Sequence, residues 1–166
     1  HPAEPKRTSL PSMLPPPWSA VTCWVAPASS RSGLPPVSKA WATVALAANA
    51  IMNAGTDAQQ GELLPGIASG ETIAALAFTE PNGKWDESGI EATASQDGDG
   101  WRIDGTKMFV LDGHVANLVI VAARTANGVS LFIVDGDADG LTRTSLSTLD
   151  QTRKQAKLEL ARVPAT

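Results

Sequence analysis

The chain has little of what marks several protein classes. Its 166 residues hold one cysteine, Cys23, two histidines, His1 and His114, and three methionines. A single cysteine excludes an intrachain disulfide, and two histidines with one thiol leave no ligand set for a soft metal ion. A chain without disulfides fits the reducing cytoplasm. Long apolar runs are missing too. The most apolar stretch, 40–52, is interrupted by Asn49 and falls short of the roughly 20 residues a membrane-spanning helix needs. Prolines break every candidate for the apolar core of an export signal. Basic clusters such as Arg153-Lys154 are short, the formal charge is −4, and no aromatic stripe stands out. Those three facts together exclude a nucleic-acid surface.

What is present suits one domain around one core: 43% hydrophobic and 18% charged residues. The opening residue is His1 rather than Met, so the chain is expected to be a processed product or a fragment. Composition shifts near Trp41. Nine of the 12 prolines and three of the five tryptophans lie in residues 1–41, with Glu4 the only acid against Lys6, Arg7, Arg31 and Lys39. Pro15-Pro16-Pro17 and Pro35-Pro36 block helix and central strand alike. An irregular or disordered segment is expected over 1–41. A proline-rich ligand for an SH3-like partner is the other reading, and no P-x-x-P with a flanking basic residue supports it.

From Ala42 the pattern becomes regular. The Ala-rich stretch 43–53 reads as a helix ending near Gly55. Thr56 or Asp57 caps a second short helix through Leu64, which Pro65-Gly66 is expected to stop. A helical lead-in over 42–70 thus precedes a β-rich domain over 71–166. Strands are predicted over 72–79, 91–96, 101–103, 107–111, 117–124, 129–135, 141–146 and 155–160. Asp104-Gly105 reads as a turn between two of them, and Ala126-Asn127-Gly128 as another. Seven or eight short strands separated by Gly, Asp and Asn turns predict an antiparallel β-barrel or sandwich.

Ionisable motifs are few. Asp137-Ala138-Asp139-Gly140 has the start of a calcium loop but no bidentate Glu at its end, so it reads as a solvated hairpin tip. Gly98-x-Gly100 lacks the strand-to-helix setting of a dinucleotide fingerprint. His114 has no Ser or Cys nucleophile pattern near it and reads as a loop residue.

An ordered series of motifs carries more. Gly55-Thr56-Asp57-Ala58-Gln59 is followed by Leu63-Leu64-Pro65-Gly66, then Ala77-Phe78-Thr79-Glu80-Pro81. The acidic hairpin Gln96-Asp97-Gly98-Asp99-Gly100-Trp101 comes next, then Gly105-x-Lys107, an aromatic at Phe109, and Asp112-Gly113. The series closes with Asp150-Gln151-Thr152-Arg153 and Val163-Pro164. In this order it resembles the middle β-domain of the flavin-dependent acyl-CoA dehydrogenases, over roughly three quarters of the chain.

The resemblance implies α,β-dehydrogenation of an acyl-CoA thioester with FAD as cofactor. A carboxylate takes the α-proton and the β-hydrogen leaves as hydride to flavin N5. It implies an electron-transfer partner and a homo-oligomer. Thr79, with the backbone of Phe78, matches the position that contacts the polar edge of the flavin. Phe109 stands where the family usually has a stacking Trp. Leu111 stands where the family has a hydroxyl donor, so with Val110 it would offer backbone only. Lys84 and Trp85 replace a Gly-Ser pair near the pyrophosphate and acyl-CoA, which points to a divergent branch with a bulkier thioester. The resemblance makes Glu80 a supporting residue. It supplies no catalytic residue in this chain, because the family's base lies in a C-terminal helical domain. The Trp/Pro/Ser/Arg-rich text over 1–41 is what an out-of-frame stretch would give. The chain is therefore expected to be incomplete and inactive alone. The alternatives are a non-catalytic barrel remnant or partner-binding module from a truncated gene, and an OB-like binding barrel.

Overall fold

The computed structural model describes residues 43–150 and 152–166. The proline-rich segment read over 1–41 lies outside the described residues. A π-helical stretch, Thr43–Ala48, runs into helix α1 (Asn49–Ala54), and α2 (Asp57–Ser69) follows directly. Thr56 caps α2 with a reciprocal pair: the Gln59 amide donates to Thr56 Oγ1 at 3.3 Å and the Thr56 amide donates to Gln59 Oε1 at 2.9 Å. The expected stop at Pro65 does not occur. Pro65 sits inside α2, which continues to Ser69 and ends at Gly70 with φ of 78°. Proline removes one amide donor, but the last turn carries Ile67, which is buried with Ala47, Ala48 and Ile51. Packing of that turn outweighs the lost hydrogen bond. Among the described residues no helix is long and apolar enough to cross a membrane.

Among the described residues, seven strands form one sheet: β1 (Ala74–Ala77), β2 (Thr93–Asp97), β3 (Gly100–Leu111), β4 (Leu118–Thr125), β5 (Gly128–Asp135), β6 (Leu141–Ser145) and β7 (Gln155–Ala165). The mainly β architecture after a short helical lead-in is as the sequence predicts. β5 pairs along the whole of β4, while β1 and β2 share the other edge of β4. The order continues β2-β3-β7-β6. Ile133 and Thr166 exchange backbone hydrogen bonds at 2.7 and 3.1 Å, which brings the end of β7 to β5 and curls the sheet back on itself.

Two features correct the expectation of an antiparallel barrel. First, the sheet is mixed: β1 and β2 both run parallel to β4. Ala74–Ala77 is covered on both faces, the condition under which parallel strands occur. Ala75 and Ala77 enter the main core with Val119, Val121 and Phe132, while Ala74 faces the helices with Ile120. Second, Asp104-Gly105 is not a turn. β3 runs unbroken from Gly100 to Leu111, with a bulge between Ile103 and Gly105 against β7. Gly105 has φ of 149°, and a Cβ there would stand 2.6 Å from Ala92 Cβ. Asp104 Oδ1 accepts a hydrogen bond from the Arg162 amide at 2.9 Å. The Asp-Gly pair thus makes a close approach between strands, not a reversal. A second irregularity lies between Lys107 and Val110, where Phe109 adopts φ of 57°.

Candidate functional site

The site is built where the chain leaving β1 meets the second bulge of β3. The Met108 amide donates to the Thr79 carbonyl at 2.8 Å, so residues 78–79 lie along β3 at 107–109. Phe78 and Thr79 are half-buried. Val110 points into the core, so its contribution to any site is backbone alone, while Leu111 is half-buried. Phe109 is 52% exposed. A half-exposed aromatic in the left-handed region is uncommon, because Cβ crowds the following carbonyl there. The bulge turns this ring out of the core.

Beneath this edge lies a buried ion pair. Lys107 is 0% exposed and Glu80 2%. Lys107 Nζ donates to Glu80 Oε1 at 2.6 Å and to the Phe78 carbonyl at 3.5 Å. The Glu80 carboxylate also accepts from the Glu91 amide at 2.9 Å and the Ala92 amide at 3.0 Å. Burial holds the Lys107 ammonium below its ordinary pKa, and the hydrogen bond and charge of Glu80 offset only part of that shift. Glu80 is therefore a buried carboxylate that accepts three hydrogen bonds inside the fold.

Lys84 and Trp85 do not join this cluster. Both are exposed, Trp85 by 80%, in the loop after Pro81. Asn82 holds that loop: its Oδ1 accepts from the Lys84 amide at 3.0 Å, and its Nδ2 donates to the Gly89 carbonyl at 2.8 Å and to Glu91 Oε1 at 3.0 Å. His114 lies in the turn after β3, beside Ser145, Ser147, Thr148 and Lys154, around a cleft of about 390 Å³. In the turn after β5, the Asp137 amide donates to Asp135 Oδ1 at 2.9 Å and Arg143 reaches Asp137 Oδ1 at 3.3 Å.

Sequence reasoning missed two participants. Asn82 gave no signal beyond its place in a turn. Lys107 was named only as part of a motif, and its burial obliges it to have an acid partner. Nothing local selects Glu80 from the 17 acidic residues.

A family model described as the acyl-CoA dehydrogenase middle domain matches residues 75–163. The long-chain specific mitochondrial acyl-CoA dehydrogenase of Sus scrofa is 34% identical over 100 residues, which is 56% of this chain and 23% of the relative. The short-chain specific acyl-CoA dehydrogenase of Megasphaera elsdenii is 36% identical over 107 residues, 61% of this chain and 28% of the relative. Among solved structures, a glutaryl-CoA dehydrogenase from Mycobacterium smegmatis in complex with FADH2 superposes with a TM-score of 0.67 at 30% identity, over 72% of this chain and 32% of that one. The chain thus spans roughly a quarter of the curated relatives' length and a third of the solved chain's.

Proposed function

The chain belongs to the acyl-CoA dehydrogenase family by its middle domain, and from that premise we propose that residues 78–79 and 109–111 form the flavin-facing wall of an enzyme that dehydrogenates an acyl-CoA thioester. The observation that carries this reading is the Met108–Thr79 hydrogen bond, which sets the edge at 78–79 beside the outward Phe109 ring. FAD fits these residues: an exposed aromatic face for stacking, a hydroxyl at Thr79, and backbone groups along both segments. Bound there, FAD supplies the two-electron acceptor for the hydrogen lost from the β-carbon. The Thr79 hydroxyl and the Phe78 backbone orient the polar end of the ring system. Leu111 has no donor, so that stretch offers its backbone together with that of Val110.

Glu80 does not take the α-proton in this proposal. Its oxygens already accept hydrogen bonds from Lys107, Glu91 and Ala92, and it is buried. The base is supplied by residues outside this wall, and the chain alone is expected not to turn over. Acyl-CoA, an electron-transfer partner and a second copy of the chain are the expected partners, and the same proposal takes the cytoplasm as the compartment. A partner-binding barrel without catalysis is the second reading, favoured by the exposure of Trp85.

The test is a titration of the chain with FAD, followed by quenching of flavin fluorescence. Weak saturable binding is expected, weakened about tenfold by Thr79→Ala or by Phe109→Asn, a residue that tolerates the left-handed backbone. Binding that neither substitution changes refutes the assignment.

A further inference from the structure

We infer that the buried Glu80–Lys107 pair is a positioning device, which fixes where the backbone of Phe78 and Thr79 stands against β3. The inference rests on the flavin-facing reading of that edge. Three separate segments converge on the pair. Lys107 comes from β3 and reaches back to the Phe78 carbonyl at 3.5 Å. Glu80 comes from the end of the edge and is 2.6 Å from Lys107 Nζ. The Glu91 and Ala92 amides, at the entry to β2, donate to the same carboxylate. Ala92 in turn abuts the first β3 bulge, where a Cβ on Gly105 would lie 2.6 Å from its own.

The edge has few other restraints. β1 ends at Ala77, and among the described residues only the Met108–Thr79 hydrogen bond links 78–79 to β3 through backbone. One such bond sets a separation but leaves the strand end free to pivot. The ammonium of Lys107 and the two amides on Glu80 remove that pivot, because each fixes a different direction. Stability does not account for such a pair. Desolvating two charges costs most of what their attraction returns, and well-packed apolar replacements are often neutral or better. What apolar residues cannot supply is a directional tie to the Phe78 carbonyl. That carbonyl belongs to the backbone assigned to the cofactor, so a displacement of a few tenths of an ångström there reaches the ligand.

The experiment uses the full chain and two variants, Lys107→Met and the charge-free Glu80→Gln/Lys107→Met. Thermal unfolding, FAD affinity by fluorescence quenching, and amide exchange at Met108 and Val121 are measured on each. At least the double variant is expected to unfold cooperatively near the parent's temperature. Its FAD binding should fall about tenfold, and its Met108 amide should exchange at least about tenfold faster, while Val121 in β4 is unchanged. If Lys107→Met does not fold, the double variant carries the comparison. A folded double variant with parental FAD affinity and parental Met108 protection overturns the inference. Failure of both variants to fold also overturns it, by making the pair a requirement of the fold. If the unsubstituted chain binds no FAD, the flavin reading fails. Met108 exchange then decides the positioning role alone: faster exchange supports it, and unchanged exchange refutes it.

Discussion

Gly105→Ala is the sharpest test of how β3 is built. The position has φ of 149°, which side-chain-bearing residues rarely adopt. A methyl group there would stand 2.6 Å from Ala92 Cβ and 2.8 Å from Ala92 Cα. Neither atom is the end of a flexible side chain, so relief requires backbone movement in the segment held by Glu80. A strained backbone of this kind costs about 1–3 kcal/mol, and overpacking adds about 1–3 kcal/mol. The sum is about 2–6 kcal/mol, a large share of the about 5–15 kcal/mol that stabilises a typical domain. Gly98→Ala is the control. Gly98 also has positive φ, 63°, but nothing lies within 4 Å of its missing Cβ, so about 1–2 kcal/mol is expected. At the middle of each range, about 4 against about 1.5 kcal/mol, and at about 3–5 °C per kcal/mol for a unit of this size, Gly105→Ala should unfold about 10 °C below Gly98→Ala. Equal midpoints for the two would mean that Gly105 occupies an open turn, and the bulge would be refuted.

The Asp97–Arg102 pair on the β2–β3 hairpin predicts a pH effect. Arg102 Nε lies 2.7 Å from Asp97 Oδ2, and its hydrogen bond holds the carboxyl below the ordinary value of 3.8. A carboxyl depressed in the folded state stabilises the fold above its unfolded pKa and loses that contribution as pH falls through the folded one. Asp97→Asn should therefore flatten the decline of unfolding temperature below about pH 4, and a slope identical to the parent's would count against the pair. In the core, Phe132 is 4% exposed and its ring packs 5.3 Å from that of Trp101 at 58°. Phe132→Ala should cost about 3–5 kcal/mol in denaturant unfolding and shift Trp101 emission, whereas a loss under about 1 kcal/mol would show that this end of the core is loosely packed.

Much of the architecture was legible in sequence because it is written locally. Asn117–Arg124 and Val129–Asp135 announce themselves as apolar runs flanking Ala126-Asn127-Gly128, and the structure pairs them as the β4–β5 hairpin. Thr56 and Asp57 both offer themselves as the cap of the second helix, and the structure uses Thr56. What failed was decided at a distance. Asp104-Gly105 has the composition of a turn, and only the proximity of Ala92 and Arg162 makes it a bulge. Pro65 is a helix breaker until Ile67 has a core to enter. The edge at Phe78 and Thr79 was visible through its motif. The tie beneath it was not, since Glu80 and Lys107 are brought together by the sheet, 27 residues apart in the chain.

The pairing of β3 with β7 also sets an order of events in time. β4 and β5 meet across a two-residue turn, so their ladder closes on the microsecond scale once both are made. Leu111, by contrast, waits for Gln155, roughly 40 residues further along the chain. At the pace of synthesis that gap is several seconds, during which one edge of β3 has no partner. An unpaired edge of that length is a template for another strand, including the same strand of a neighbouring nascent chain. The two bulges interrupt its regular hydrogen-bond register at Gly105 and near Phe109. The backbone irregularities that shape the candidate site thereby also guard β3 against mispairing before β7 arrives.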